Sequence, residues 1–422
     1  MGLLSLAKAS ADEAESYASD FSTLTVEYAY GCFREKKFSR DIGHAVRVIK
    51  NSKLGFSCCN SEEGFQKAVD AAVRSASVSP EVRYSFPNAQ KYEYMRTKSW
   101  DIASLDEKFA MECARQAIEG ILEHAEPSRV SISLSFGREE IENTNGLFAS
   151  MDGSSCSAYV EAKKAGHFGF SFYSSPFLPK DFKKLGEEAS LMAKDMEGAK
   201  SLPTGKYEAC FSPYCLSQLV EFLMFHLSAE NKRRGVSRLS GKQGERVFSE
   251  KLSIRDSLKA SASNMWPFDA EGVAAKDISL IRDGVLEDFL YDTYTAARLG
   301  SWRDGNCSRA EYSSPPAPAH SNIIIGKGDY PEEAAAHYLY IESFHGMHTS
   351  NSATGDFGVE ADIAFFVKDK GEKFPVTNLL VTGNIFNLFN SIDKVGGTQA
   401  TWNNLIAPRI WFRDVQVVGS KG

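Results

Sequence analysis

Histidines and carboxylates at short spacing are the first chemical candidates in this sequence. His226 and Glu230 stand four residues apart inside residues 212–244, where Leu216, Leu219, Val220, Leu223 and Leu227 recur at helical spacing. On one helix such a pair shares a face, yet it supplies two ligands where a zinc site normally takes three from the protein. The expected state of His226 is therefore a half-buried imidazole bonded to a neighbour. His345-Gly-Met-His348 offers two imidazoles three apart, with Asp356 and Glu360 downstream in a stretch rich in Ser, Thr, Asn and Gly. A strand would send those imidazoles to opposite faces, so a shared site needs a turn between them. With no ligand set complete, the expectation is a polar loop, held by a rigid sheet, lining a cleft between subunits. No Gly-x-Ser-x-Gly elbow, P-loop or dinucleotide fingerprint occurs. Neither a serine nucleophile nor a nucleotide cofactor is expected.

The elements that must position these residues follow from periodicity and turn chemistry. An opening helix is expected over Leu3, Leu4, Leu6, Ala7, Ala11 and Ala14, then extended runs at 23–34 and 43–59, the second folding back at Asn51-Ser52-Lys53. A helix over 61–76 has Asn60 and Glu63 as a capping pair, and Ser104-Leu-Asp-Glu107 reads as a capping box for a helix to about His124. Val130, Ile132, Leu134 and Phe136 alternate as a half-buried strand, Asn145-Gly146 marks a hairpin, and a helix is expected over 179–196. Helix, strands, helix thus occurs twice before a Gly/Pro-marked linker at 198–205. Beyond it, Ser212 and Pro213 open the apolar helix, which is expected to run to Lys232-Arg233-Arg234 with Gly235 as its left-handed cap. Turns at Arg282-Asp-Gly284 and Asp369-Lys-Gly371 separate strand-like runs, with short helices at 292–299, 331–337 and 384–394. The fold class is α+β in two domains: an α/β domain over 1–200 and a mainly antiparallel, β-rich domain over 204–422.

Composition narrows the function classes. The 422 residues carry 43% hydrophobic and 24% charged side chains, as ordinary globular chains do. A net charge of −7 argues against a nucleic-acid surface, so Phe365, Phe366, Phe374, Phe386 and Phe389 are expected in the core and not as a base-stacking platform. No apolar run is long enough to cross a bilayer, and the amphipathic start lacks a basic n-region. Eight scattered cysteines without a Cys-x-x-Cys suggest free thiols in a reducing cytosol.

Several stretches together resemble the TldD/PmbA family, also called modulators of DNA gyrase or microcin-maturation proteins. They are residues 43–56 (GHAVRVIKNSKLGF), 143–157 (NTNGLFASMDGSSCS), 284–300 (GVLEDFLYDTYTAARLG), 350–357 (SNSATGDF) and 374–397, which contains LVTGNIFNLFNSIDKVG. The resemblance implies an α/β first domain, a β-rich second domain and dimerisation. One branch of the family looks like a metallopeptidase, with His-Glu-x-x-x-His on the second-domain helix and a C-terminal Cys. The other, PmbA or TldE, lacks the metal ligands and pairs with the first. Here no histidine is followed by Glu, the motif position reads VEFLMF (220–225) with only Glu221 surviving, and the last cysteine is Cys307. Together with Thr354-Gly355-Asp356-Phe357, this resembles the PmbA branch.

The resemblance implies a non-metal subunit of a cytosolic TldD/TldE-type metallopeptidase, acting on unfolded peptides beside a TldD-like zinc subunit. Asn351, Thr354 and Asp356 are the expected substrate-binding residues; no catalytic residue, metal or cofactor is assigned to this chain. Two alternatives are a homodimeric binding or modulator protein without catalysis, and an autonomous hydrolase with a variant metal site at His345 and His348. Elemental analysis separates the last from the others. The purified chain is expected to hold no stoichiometric zinc, whereas one metal per chain, lost on His345→Ala or His348→Ala, would establish the variant site.

Overall fold

The computed structural model describes residues 2–81, 83–301 and 305–419. Its first half is one antiparallel sheet of six strands in the order β3-β2-β1-β4-β5-β6, among the described residues. They are β1 (Glu13–Ala29), β2 (Cys32–Lys50), β3 (Lys53–Cys59), β4 (Glu126–Asn143), β5 (Phe148–Lys164) and β6 (His167–Ser175). Alternation fixes which face is which. Val130, Ile132 and Leu134 are fully buried, while Ser133 and Ser135, alternating with them, turn to the other face and meet Thr25 and Thr23 of β1 at 2.9 and 3.0 Å. Asn51-Ser52 and Asn145-Gly146 make the expected hairpin turns. The expected strand at 23–34 is two strands, because Tyr30 and Gly31 both take positive φ (52° and 83°) and reverse the chain.

Helices cover one face of this sheet: α1 (Leu3–Lys8), α2 (Phe65–Val78), the short α3 (Trp100–Ala103), α4 (Glu107–Leu122) and α5 (Phe182–Asp195). α1 is shorter than expected, since Ala14 already pairs in β1 with Val48. Their starts are set by caps the sequence placed slightly wrongly. Asp106, and not Ser104, accepts the Phe109 N–H; Asp181 accepts from Lys183 and Lys184, so α5 begins after Pro179. Ser61, and not Asn60, precedes the turn leading into α2. α4 and α5 pack at glycines: a Cβ on Gly120 would lie 2.0 Å from the Lys183 carbonyl, and one on Gly186 1.9 Å from that of Ala117. Only glycine permits that approach.

The second half holds β7 (Gly205–Phe211), β8 (Ile254–Ser257), β9 (Asp277–Arg282), β10 (Val285–Leu286), a two-residue ladder of β11 (Cys307–Ser308) with β12 (Ala317–Pro318), β13 (Ile323–Ile325), β14 (Tyr338–His345), β15 (Asp356–Val367), β16 (Lys373–Val376), β17 (Leu379–Asn384), β18 (Ile392–Trp402) and β19 (Leu405–Val418). Pairings run β19-β17-β15-β14-β7 and return from β7 to β19, closing a ring. The longest helix here, α6 (Pro213–Leu227), packs against β14, β18 and β19, and Leu216, Leu219, Leu223 and Leu227 are fully buried there. Burial at that spacing is worth roughly 1.5–3 kcal/mol per leucine. Ser212 caps α6 as expected, accepting from the Cys215 N–H at 3.2 Å.

The helix ends earlier than its sequence suggested. Ser228 is extended (ψ 124°), and Ala229 N–H bonds the Leu290 carbonyl at 2.9 Å, so a separate short α7 (Ala229–Arg233) follows before Gly235 turns left-handed at φ 73°. α8 (Thr293–Arg298) and α9 (Ile385–Asn390) are also short; β18 begins at Ile392, where the sequence suggested helix to Lys394, and 331–337 holds only one 3₁₀ turn. Strands dominate the second half, and the mixed α+β class stands. Among the described residues no helix is long and apolar enough to cross a membrane.

A buried ion network joins the two halves. Arg47 of β2 makes a two-pronged contact with Glu15 of β1 (2.8 and 2.6 Å) and reaches Glu271 from the second half at 2.7 Å. Arg309, also from the second half, meets Glu15 at 3.1 Å. Burial alone would raise the Glu271 carboxyl, but the Arg47 guanidinium and the Thr293 hydrogen bonds together hold it below its ordinary value. Asp269 has no such cation and is pushed up to about 7, by burial first and then by the Glu271 charge. Removing one partner strands the others. Arg47→Met is expected to lower the unfolding free energy by about 3–5 kcal/mol, read from the urea midpoint at pH 7, while Arg40→Met, which breaks only the exposed pair with Asp20, leaves the midpoint nearly unchanged.

Candidate functional site

The polar loop after β14 is built by its own side chains. β14 ends at His345, Gly346 turns left-handed (φ 100°), and a single 3₁₀ turn covers Met347–Thr349. Asn351 Oδ1 then accepts from the N–H groups of Ala353 (3.0 Å) and Thr354 (3.2 Å), the side chain standing in for a backbone turn. Gly355 N–H bonds the Asn351 carbonyl at 2.8 Å with φ 79°, and the Thr354 hydroxyl accepts from Asp356 N–H at 3.3 Å. A Cβ on Gly355 would also lie 3.0 Å from the Phe386 ring.

Three residues outside the loop hold it in place. Asn384 caps α9 through Oδ1 (3.1 Å to Phe386 N–H), while its Nδ2 donates to the Thr354 carbonyl (2.9 Å) and to Asp356 Oδ1 (2.8 Å). Arg238 donates to the same Thr354 carbonyl at 2.7 Å and lies 4.2 Å over the Phe386 ring. The Asn384 bond, then that of Thr354, keeps the Asp356 carboxyl below its ordinary value, with the Arg238 charge assisting. Asn351, Thr354 and Asp356 are all exposed and gathered in one turn. Asn351 and Thr354 spend their side-chain acceptors on the loop, so Asp356 is the anionic group it presents.

α6 supports this loop from beneath. His226 is fully buried; its Nδ1 accepts the Arg238 N–H at 3.2 Å, and its ring centroid lies 4.9 Å from that of Phe386. Its Nε2 lacks a hydrogen bond of normal geometry among the described residues. Burial pushes the imidazole down to about 4; the Ser352 backbone nearby opposes the shift, and Arg238 adds to it. Glu230 is elsewhere. The break at Ser228 removes it from the His226 face, and it pairs with Arg233 at 2.7 Å. Phe386 belongs to this site as much as to the core, whereas Phe365 and Phe389 are buried as expected.

The residues at the other candidate positions do not fit a tetrahedral zinc ion. Along 220–225, Val220, Leu223 and Met224 are buried, and Glu221 is exposed and bonded to His320 Nε2 at 3.0 Å. Burial would lower the His320 imidazole, but the Glu221 bond and the charges of Glu221 and Asp256 together outweigh it and the net shift is upward, which favours a protonated donor over a metal ligand. The turn needed between His345 and His348 exists at Gly346. His345, however, meets Asp362 through Nδ1 (2.5 Å) and faces Glu360 through Nε2 (3.7 Å), so its carboxylate neighbours lie on opposite ring edges. Among the described residues no group of three or more His, Cys, Asp or Glu side chains is arranged to hold a metal ion.

Family models match nearly the whole chain. One described as the PmbA/TldA metallopeptidase C-terminal domain covers residues 204–419, domain 1 covers 16–76 and the central domain covers 98–197. An uncharacterized protein of Methanocaldococcus jannaschii is 29% identical, over 88% of each chain. The metalloprotease PmbA of Escherichia coli O157:H7 is 22% identical over 99% of this chain and 94% of its own. The crystal structure of TldE from Thermococcus kodakarensis superposes with a TM-score of 0.89 at 22% identity, covering 99% of each chain, which establishes the shared fold.

The buried imidazole gives the site a pH signature. Its folded value lies below the ordinary 6.5, so the stability it contributes is present above about 6.5 and is lost as pH falls toward about 4. His226→Gln is expected to flatten that part of the stability profile by up to roughly 3 kcal/mol, at 1.4 kcal/mol per unit. Urea midpoints of both proteins at pH 7 and pH 4.5 measure it. Asp269, shifted the other way, contributes alike to both. An unchanged slope would mean that another group titrates in this window.

Proposed function

The chain belongs to the PmbA/TldD metallopeptidase family, and from that premise we propose that it is a TldE/PmbA-like subunit that holds an extended peptide while a metal-bearing relative cleaves it. The observation that carries this reading is the state of the polar groups on and around α6. Glu221 is engaged by His320 and the His226 Nδ1 by the Arg238 N–H, while Arg238 and Asn384 fix a rigid, exposed turn bearing Asp356. The helix is arranged to support a surface. A turn pinned at Thr354 by two donors can meet a peptide without ordering cost, which is what a positioning wall contributes to a reaction carried out opposite it. The eight cysteines are free thiols in the structure, which fits a reducing compartment and supports a cytoplasmic complex.

Mixing tests the proposal. The isolated chain is expected to be inactive, and peptide cleavage to appear on adding a metal-branch relative from the same cell. Asp356→Ala should raise KM or weaken assembly several-fold, and Glu221→Gln should leave the mixed activity within about two-fold, since the surface-exposed Glu221 meets no reacting group. Cleavage by the isolated chain in the presence of a chelator would exclude the subunit model. A stable homodimer that ignores the relative would favour the binding-protein alternative.

A further inference from the structure

Where the edge strand β6 approaches the second half there is a cleft of about 670 Å³. Its wall is aromatic. Trp402, at the end of β18, lies 4.8 Å from the Tyr214 ring in the first turn of α6 and 5.2 and 5.8 Å from Phe172 and Phe170 of β6, centroid to centroid. All four rings are only half-buried and line the cleft, so part of each remains available to it. Two carboxylates share the lining. Glu161 of β5 is oriented by the hydroxyls of Ser128 (2.5 Å) and Tyr159 (3.0 Å), and Asp362 of β15 by His345. Ser343 of β14 is 1% exposed, and its buried Oγ has no hydrogen-bond partner among the described residues. No described lysine or arginine lines the cleft.

We infer that this cleft binds an organic cation on an apolar stem: the side chain of a basic residue, lysine or arginine, in a bound peptide. Each wall selects against something else. Aromatic faces attract a cation through their quadrupoles and bury its methylenes. Glu161, held by two hydroxyls, and Asp362, held by the His345 ring, repel anions in a lining without lysine or arginine and would be desolvated at a cost by a purely apolar occupant. The orphaned Ser343 hydroxyl can accept an N–H at the end of the stem. The inference deepens the peptide-holding reading, placing a side-chain pocket beside His345 at the end of the strand that leads into the 351–356 loop.

Calorimetric titration of the isolated full chain with Nα-acetyl-lysine methylamide, and with its uncharged isostere Nα-acetyl-norleucine methylamide, tests this directly. The lysine ligand is expected to bind saturably and at least ten-fold more tightly than the isostere, with the preference shrinking as salt is raised. Trp402→Leu and Glu161→Gln should each weaken lysine binding at least five-fold. If Trp402→Leu does not fold, Glu161→Gln and Asp362→Asn, which preserve shape, decide. Equal affinity for the two ligands, no saturable binding by a folded protein, or affinity unmoved by the folded variants would overturn the inference. Because no partner is present in the titration, such a failure leaves the mixing experiment, and the reading of the loop around Asp356, standing on its own result.

Discussion

The docking of the two halves is centred on one buried guanidinium. Arg47 sits 2% exposed between Glu15 on its own sheet and Glu271 from the far half, with Arg309 closing on Glu15 from the same far side. Two cations and two carboxylates are thereby sealed away from water. Such a cluster is tolerated only if each charge keeps its partners, because an uncompensated buried ion costs several kcal/mol. The consequence is geometric. Hydrophobic contact between the halves could slide, but a two-pronged guanidinium–carboxylate pair fixes distance and angle. Asp269 fits the same logic: lacking a cation of its own, it is pushed toward neutrality, which keeps the cluster close to balanced.

With the halves fixed, the ring of strands and α6 can serve as a platform. α6 is an apolar helix whose leucines are consumed by the core, and its Glu221 carboxylate and His226 Nδ1 are already engaged. The polar turn beside it is rigid for local reasons, through the Asn351 side chain and left-handed Gly355, and is positioned for non-local ones, through Arg238 and Asn384. The aromatic cleft likewise needs both halves: Phe170 and Phe172 come from the first sheet, and Tyr214 and Trp402 from the second. Its existence is a product of docking.

Local rules written in the sequence were enough for much of the architecture. Ser212-Pro213 opens α6, Asn145-Gly146 and Asn51-Ser52 turn hairpins, and alternation at Val130, Ile132 and Leu134 marks the buried face of β4, because caps, turns and period-two burial act over a few residues. The same rules misplaced element ends. α6 stops at Leu227 because the backbone of Ala229 finds Leu290, 61 residues on, and a helix end is decided by whichever partner its last groups meet. Tyr30-Gly31 carried too weak a local signal for its turn to be read.

The candidate site divides in the same way. Its loop was legible, since Asn351, Thr354 and Asp356 lie within six residues in a composition that favours a tight polar turn. Arg238, Asn384 and Phe386 were not. Asn384 has a helix-capping position that hints at one of its bonds, but nothing near Arg238 in sequence says that it crosses to a carbonyl 116 residues away. His226 and Glu230 show the limit most clearly. Their four-residue spacing is a fact of the sequence, and whether they share a face depends on a helix that breaks at Ser228. The sequence by itself determined the family, the strand and helix content and the loop chemistry, because these rest on residue types and near-neighbour spacing. Only the tertiary structure decided which charges are buried together, which imidazole is dry and which rings line a common cleft, because burial and long-range pairing arise only once the chain has closed on itself.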